Sequence, residues 1–404
     1  MKPSVGAAFA AYLALVVLPT FAQAQQIGFY QWVGISPSDT DADLLTEARE
    51  RIGDQGAFRL YLGARFDYER PYLAPDRFAN LDTVTPASIL TLPRYRAVLD
   101  DPKLSTVILT TYTTHDYGGG PDDLNLLRPW TDFERKTETT QITALCELLY
   151  RDFGDQQRTI IIANNEADEK LLEILNYTGD PTQALETLTA WINTRHDAIS
   201  KVRAAHPNAK LKLFHAFEIS MVRLRAAPVR DEYMKSSSGK GWNALEHIVP
   251  DIRCDLISYS SYESINSPYD TLRTDLPPEL VATRLRADLD LIRDKSRDSI
   301  SDAGRRAFGD RFVMIGEMGF ARERFEPLST GGVLPRLNYA LAAARDWGAP
   351  WIILWQVFDA PKLGSRAWGW GAFDAAGKRP GLKAVPGACN TVATCALAAV
   401  ESRP

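Results

Sequence analysis

Short runs dense in β-branched and aromatic residues recur along the chain and alternate with longer stretches whose apolar positions repeat at helical spacing. That alternation is the pattern of βα units joined into a parallel sheet. Eight runs are expected strands: 27–33, 57–63, 104–111, 159–164, 211–217, 255–260, 312–316 and 351–356. Helical periodicity is clearest over 41–52, 134–153, 182–205, 278–308 and 337–347. The fifth unit offers only 242–248 as a helix.

The connections are asymmetric. Those leading into strands are short and carry turn formers such as Gly53, Pro207, Asn208, Gly348 and Pro350. Those leaving strands are long: 64–89, 112–132, 218–241, 261–276, 318–335 and 357–379. A (β/α)8 TIM barrel builds its site from its post-strand loops, so the asymmetry predicts an α/β barrel with one elaborated face. A doubly wound open sheet shares the alternation, but it calls for a ligand fingerprint the chain lacks.

Composition sharpens this picture at the ends. Lys2, the apolar stretch Val5 to Leu18 and Ala22-Gln23-Ala24 form a charged start, a hydrophobic run and a small-x-small cleavage pattern. Residues 1–24 are therefore expected to be a signal peptide and 25–404 a single catalytic domain, secreted or periplasmic. Pro19 and Thr20 interrupt the run before the roughly 20 apolar residues of a spanning helix, so stable membrane insertion is not expected. A formal net charge of −5 gives no electrostatic reason to bind nucleic acid. Four cysteines suit an oxidising compartment, with Cys389 and Cys395 spaced for a disulfide and Cys146 and Cys254 read as buried thiols. The five scattered histidines and the lack of ligand spacing predict no metal site, and no cofactor is expected.

Two strands end on carboxylates. The fourth delivers Asn165 and Glu166, the seventh Glu317. Retaining hydrolysis of a glycosidic bond needs two such groups, with carboxyls about 5–5.5 Å apart. One protonates the leaving oxygen and the other attacks the anomeric carbon, and Glu166 and Glu317 are assigned these roles. Alternation along the second strand sends Phe58, Leu60 and Leu62 one way and Arg59 into the barrel, where a guanidinium needs a carboxylate partner. Glu317 is the candidate, and the pairing is expected to keep it ionised, although a structural ion pair with another acid is the alternative. Trp355, near the end of the eighth strand, is placed to stack on a sugar ring, while Trp351 reads as core. Tyr259 is expected to pack and Tyr262 to hydrogen-bond a carboxylate.

Together, Asn165-Glu166, Glu317, Arg59, Tyr262 and Trp355 resemble the clan A glycoside hydrolases, which include the family 5 cellulases and mannanases. The resemblance implies an acid/base at Glu166, a sugar 2-hydroxyl contact at Asn165, and a nucleophile at Glu317 flanked by Arg59 and Tyr262. It also implies a subsite floor at Trp355. The segment 370–377 is similar to the stretch after strand eight in such enzymes. Departures are Ser260, where many family 5 members carry His, and Ala167, where Pro is usual.

Other strand-end groups, His115, His215, Asp116, Glu218, Glu263 and Asp359, are candidates for positioning a carbohydrate, with ordinary loop solvation as the alternative; His115 and His215 are taken as substrate-binding. A serine hydrolase lacks its G-x-S-x-G elbow, since 34–38 has no second Gly. A phosphate loop fails at Met234. A non-catalytic carbohydrate-binding barrel and a transglycosylase with the same pair remain open alternatives.

Overall fold

The computed structural model describes residues 25–31, 44–52, 56–62, 85–111, 126–127, 129–223, 241–266, 277–320, 332–357, 360–363 and 366–368. The leader 1–24, the Cys389 and Cys395 pair, His115, Asp116 and Asp359 lie outside these residues.

The chain runs β1 (Gln26–Gln31), α1 (Leu44–Arg51), β2 (Ala57–Leu62), α2 (Pro86–Leu90), α3 (Pro93–Leu99), β3 (Thr106–Thr111), α4 (Asp132–Phe153), β4 (Thr159–Ala163) and α5 (Ala167–Thr178). It continues with α6 (Pro181–Ala205), β5 (Lys212–Ile219), α7 (Ala244–His247), β6 (Leu256–Ser260), α8 (Tyr262–Asn266) and α9 (Pro278–Ser296). Then come α10 (Asp302–Phe308), β7 (Val313–Met318), α11 (Val333–Trp347) and β8 (Trp351–Trp355). The eight strands pair in sequence order, all parallel, and β8 returns to β1, closing a (β/α)8 barrel. The expected fold class is what the chain adopts. A short antiparallel pair, Ala360–Leu363 with Arg366–Trp368, follows β8.

Every residue of β2, β3, β4, β6, β7 and β8 is buried, because helices cover the outside and side chains fill the inside. At the N-terminal end the interior is closed by aromatic rings. Phe308 of α10 lies 4.8 Å from Phe214 and 5.7 Å from Trp351, centroid to centroid. Trp351 Nε1 donates to Gln26 Oε1 at 3.3 Å and to Thr106 Oγ1 at 3.2 Å, so its one polar atom is satisfied inside the plug. That seal leaves chemistry to the opposite end.

Several boundaries differ from expectation for identifiable reasons. The stretch after β4 holds two helices. Gly179, with φ of 65°, ends α5 in the left-handed conformation, and Asp180 caps α6 by accepting from Thr182 N and Gln183 N, with Pro181 in the first turn. The expected helix over 278–308 is broken because Ser301 starts a new one, accepting from Gly304 N at 3.1 Å, while Cys254 and Ile300 form a parallel bridge. The helices α2 and α3 begin with prolines at the end of what reads as a long polar loop. Among the described residues no helix is long and apolar enough to cross a membrane.

Candidate functional site

The site is assembled at the C-terminal ends of the strands, from residues that alternation, a bulge and the first residues after the strands bring together. On β2, Arg59 is fully buried and faces the barrel axis while Phe58 and Leu60 pack outward. Its Nε donates to Thr110 Oγ1 at 2.7 Å, and its guanidinium lies 4.5 Å from the Tyr30 ring centroid. The principal acid partner is not Glu317. Arg59 makes a two-armed ion pair with Glu218, Nη1 to Oε2 at 2.6 Å and Nη2 to Oε1 at 2.8 Å. Glu317 Oε1 stands farther off, 3.5 Å from Nη1, so Arg59 is shared between the expected partner and another acid, with Glu218 holding the shorter bonds.

The physical reason lies in strand length. β5 reaches Ile219, two residues past its expected end, so Glu218 is an inward strand residue and not a loop acid. Burial of the cation opposes its charge, but Glu218 and Glu317 more than offset this and hold Arg59 positively charged. Arg59→Met is therefore expected to destabilise the fold by about 3–5 kcal/mol, because it strands a buried carboxylate. Removing Glu218 as well, in Arg59→Met/Glu218→Met, should restore part of that loss. Urea unfolding of both variants checks this, and a double variant no better than the single would contradict the ion-pair account.

Glu317 reaches the same space through a bulge. Between β6 and β7 the register shifts, Tyr259 pairing with Ile315 and Ser260 with Glu317. The extra residue lets Gly316 and its neighbour Glu317 both address the barrel mouth, which strict alternation forbids. Gly316 is needed there because a Cβ would collide with Ser258 Oγ and Glu218 Oε2. The Glu317 carboxylate accepts a hydrogen bond from Tyr262 Oη at 3.0 Å, and the chain beneath is held by Ser261, whose N and Oγ donate to the Glu317 carbonyl at 2.9 Å.

Burial pushes the Glu317 carboxyl up to about 8, against the pull of Arg59, and Glu218 adds to the rise. Burial thus opposes the ionised form expected of Glu317, and Arg59, whose two arms are taken by Glu218, offsets that only in part. The Tyr262 phenol is itself raised well above its ordinary value, by burial first and then by the charges of Glu317 and Glu166, so it remains a donor.

Glu166 caps α5 directly after Asn165, and both are half-buried. Its carboxyl is held well above the ordinary carboxylate range, first by burial, then by the charges of Glu169, Glu317 and Glu218. Glu166 and Glu317 therefore act on one another electrostatically at one end of the barrel. The preceding Asn164 ties this end together: its Oδ1 accepts from Glu218 N at 2.8 Å and its Nδ2 donates to the Glu218 carbonyl at 3.1 Å. Trp355 is 9% exposed, its ring edge-on to Tyr262 at 6.3 Å, and the Trp355–Gln356 peptide is cis. Ser260 Oγ is buried in register with Glu317 and has no hydrogen-bond partner among the described residues.

Two other acids near this end hold main chain. Glu263 accepts from Val222 N at 2.5 Å and Arg223 N at 3.3 Å, fixing the segment after β5. Asp168, which sequence reasoning did not single out, does the same from the other side, accepting from Ser220 N, Met221 N and Ala244 N at 2.7, 2.9 and 2.6 Å. No sequence signal separates Asp168 from an ordinary first-turn acid. Tyr259 is fully buried, its hydroxyl 2.6 Å from Ser264 Oγ.

His215, expected to contact substrate, is corrected to a strand–helix position. It is three residues from the inward Glu218, so it faces the helices, fully buried and 5.7 Å from His196 on α6. Neither ring nitrogen has a hydrogen-bond partner among the described residues. Burial first, then His196, Arg195 and Arg203, hold its pKa well below the ordinary value. The unfolded chain takes up a proton at this histidine below about pH 6.5 while the folded one resists, so stability falls as pH drops. His215→Phe is expected to stabilise the fold by about 1–2 kcal/mol, more at pH 5 than at pH 8. Thermal melts at both pH values test it; an equal or negative effect at pH 5 would overturn the reading.

No known family profile matches the chain, and no curated protein matches it. Solved structures similar to it include ZgEngAGH5_4 in complex with a cellotriose, at 16% identity and TM-score 0.48, covering 88% of this chain and 92% of that one. The hyperthermostable endo-1,4-β-D-mannanase of Thermotoga petrophila RKU-1 is similar at 13% identity and TM-score 0.49, covering 93% and 99%. The endo-β-1,4-glucanase Xac0029 of Xanthomonas axonopodis pv. citri gives 13% identity and TM-score 0.44, covering 88% and 95%.

Proposed function

We propose that the chain is a retaining glycoside hydrolase acting on a poly- or oligosaccharide outside the cytoplasm, through a covalent glycosyl-enzyme intermediate. The observation that carries this reading is the placement of two carboxyls at the same end of the barrel, Glu166 directly after β4 and Glu317 near the end of β7. Glu317 is a buried carboxyl held by Tyr262 Oη and faced by Arg59, and its charge raises the neighbouring Glu166 at the same barrel mouth.

In this reading Glu317, once ionised, attacks the anomeric carbon as Glu166 gives its proton to the departing glycosidic oxygen. Glu166 then takes a proton from water, whose oxygen displaces Glu317 and restores the starting configuration. Raised affinity for a proton suits Glu166 to donation. Trp355 supplies the ring face, and Asn165 and the unpartnered hydroxyl of Ser260 supply polar contacts for sugar hydroxyls. The acid-rich mouth, with Arg59 already engaged by Glu218, favours neutral over anionic sugars.

Incubation of the protein with mannans, β-glucans, xylans and short aryl glycosides, followed by proton NMR of the first product, tests the reading. A retained anomer is the expected result. An inverted anomer would reassign the mechanism, binding without cleavage would indicate a carbohydrate-binding barrel, and products longer than the substrate would indicate transglycosylation.

A further inference from the structure

The barrel mouth holds a buried carboxylate that the proposed reaction does not use. Glu218 is fully buried, takes both arms of Arg59 at 2.6 and 2.8 Å, and accepts a third hydrogen bond from Ser258 Oγ at 2.7 Å. Its main chain is fixed as firmly, through both polar atoms of the Asn164 amide at 2.8 and 3.1 Å. Arg59 Nη1 also donates to the Gly316 carbonyl at 2.9 Å, which leaves Glu317 as the most distant acceptor at 3.5 Å. Gly316 makes this possible, since any Cβ there would collide with Ser258 Oγ and the Glu218 carboxylate.

We propose that Glu218 is a positioning residue for Glu317: by capturing the Arg59 fork it keeps the guanidinium from closing on Glu317, so the attacking carboxylate is oriented without being locked in a two-armed ion pair. The proposal rests on the reading of Glu317 as the nucleophile. A carboxylate held by both arms of an arginine is a weaker base and a poorer nucleophile than one held by a single phenol, because its charge is already spent in short charge-assisted bonds. The titratable and charged groups bearing on Glu317 are Arg59 on β2, Glu218 on β5, Tyr262 after β6, Glu166 and Glu169 after β4, and Tyr30 on β1. Of these described groups Arg59 alone is a cation, so its allocation between two acids sets how far the effect of burial is offset at Glu317.

The test is a carboxyl titration that needs no turnover. Protein labelled with carbon-13 at the glutamate side-chain carboxyl is titrated by NMR, and the Glu317 resonance is identified by its loss in Glu317→Gln. In Glu218→Gln, which keeps the size and removes the charge, Glu317 should ionise at a pH lower by about one unit or more, a tenfold change in its proton affinity. Glu218→Asp, which keeps the charge, should stay nearer the parent. If Glu218→Gln does not fold, Ser258→Ala, which removes one donor from Glu218 Oε2 and so strengthens its hold on Arg59, should move the Glu317 titration the opposite way, to higher pH, by less. A Glu317 titration unchanged in Glu218→Gln, or in Ser258→Ala where that variant decides, overturns the proposal, as does an equal shift in Glu218→Asp. Failure of the glycosidase reading shows separately, as absence of cleavage in the parent protein.

Discussion

Replacing Glu317 with Gln is expected to lower turnover of every glycoside substrate by about 10⁴-fold or more, and at the same time to raise the stability of the fold at neutral pH. The loss follows because an amide cannot form the covalent intermediate, whatever leaving group the substrate carries. The gain follows from the position of this carboxyl. In the unfolded chain a glutamate titrates near about 4.3, whereas burial pushes Glu317 up to about 8 in the folded protein. Between those values the unfolded state sheds a proton that the folded state keeps, so the parent loses stability as pH rises through the window. The amide of the variant has no such proton to lose. The variant's advantage should therefore be small near about pH 4 and grow toward about pH 8, reaching on the order of 1–3 kcal/mol. Arg59 is not stranded by the change, because Glu218 already holds both of its arms. Kinetics on an aryl glycoside and urea unfolding at pH 5 and 8 check the two halves independently. Residual turnover within about tenfold of the parent would remove Glu317 from the chemistry. A variant less stable at pH 8 than at pH 5, relative to the parent, would contradict its placement as an unfavourably buried acid.

The same carboxyl shows how far sequence alone carries. Glu317 and Glu166 were visible because each follows a short β-branched run, and the closed order of eight parallel strands was visible in the alternation of those runs with helical stretches. The inward aim of Arg59 followed from period two. Its partner did not, because β5 continues through Glu218 and Ile219, and a strand end cannot be located to two residues from hydrophobicity when the next inward residue is a charged one. The misplacement of His215 has the same root. A polar residue in a strand is read as a site residue, but Glu218 sets which parity faces the axis, and His215 falls on the other. Asp168 and Gly316 were invisible for a different reason. Their roles, accepting three main-chain amides and leaving room for two side chains, exist only once distant segments have met. The helix α5 was missed, although Gly179-Asp180-Pro181 carries a stop, a cap and a start in succession between it and α6.

Replacing Glu166 with Ala should separate the two carboxyls by role. A glycan whose leaving group is an alcohol needs the proton that Glu166 supplies, so turnover should fall by about 10²–10⁴-fold. A dinitrophenyl glycoside departs without protonation, so Glu317 can still attack and the first turnover should lie within about tenfold of the parent. The second step then fails for want of a base, and the glycosyl-enzyme accumulates as a burst of dinitrophenol equal to the enzyme present. The electrostatics of the parent make the double duty workable. Glu166 is raised by burial and by the charges of Glu169, Glu317 and Glu218, and esterification of Glu317 removes one of those charges just when Glu166 must become a base. Glu169, exposed on the first turn of α5, takes no part in the ester, so its share of the rise persists. Stopped-flow release of dinitrophenol, with mass spectrometry of the quenched protein, reads both steps. A variant that lost as much in the burst on the activated substrate as at steady state on a natural glycan would show that Glu166 is not the acid. A burst without a mass increase at Glu317 would show that the intermediate forms on another residue.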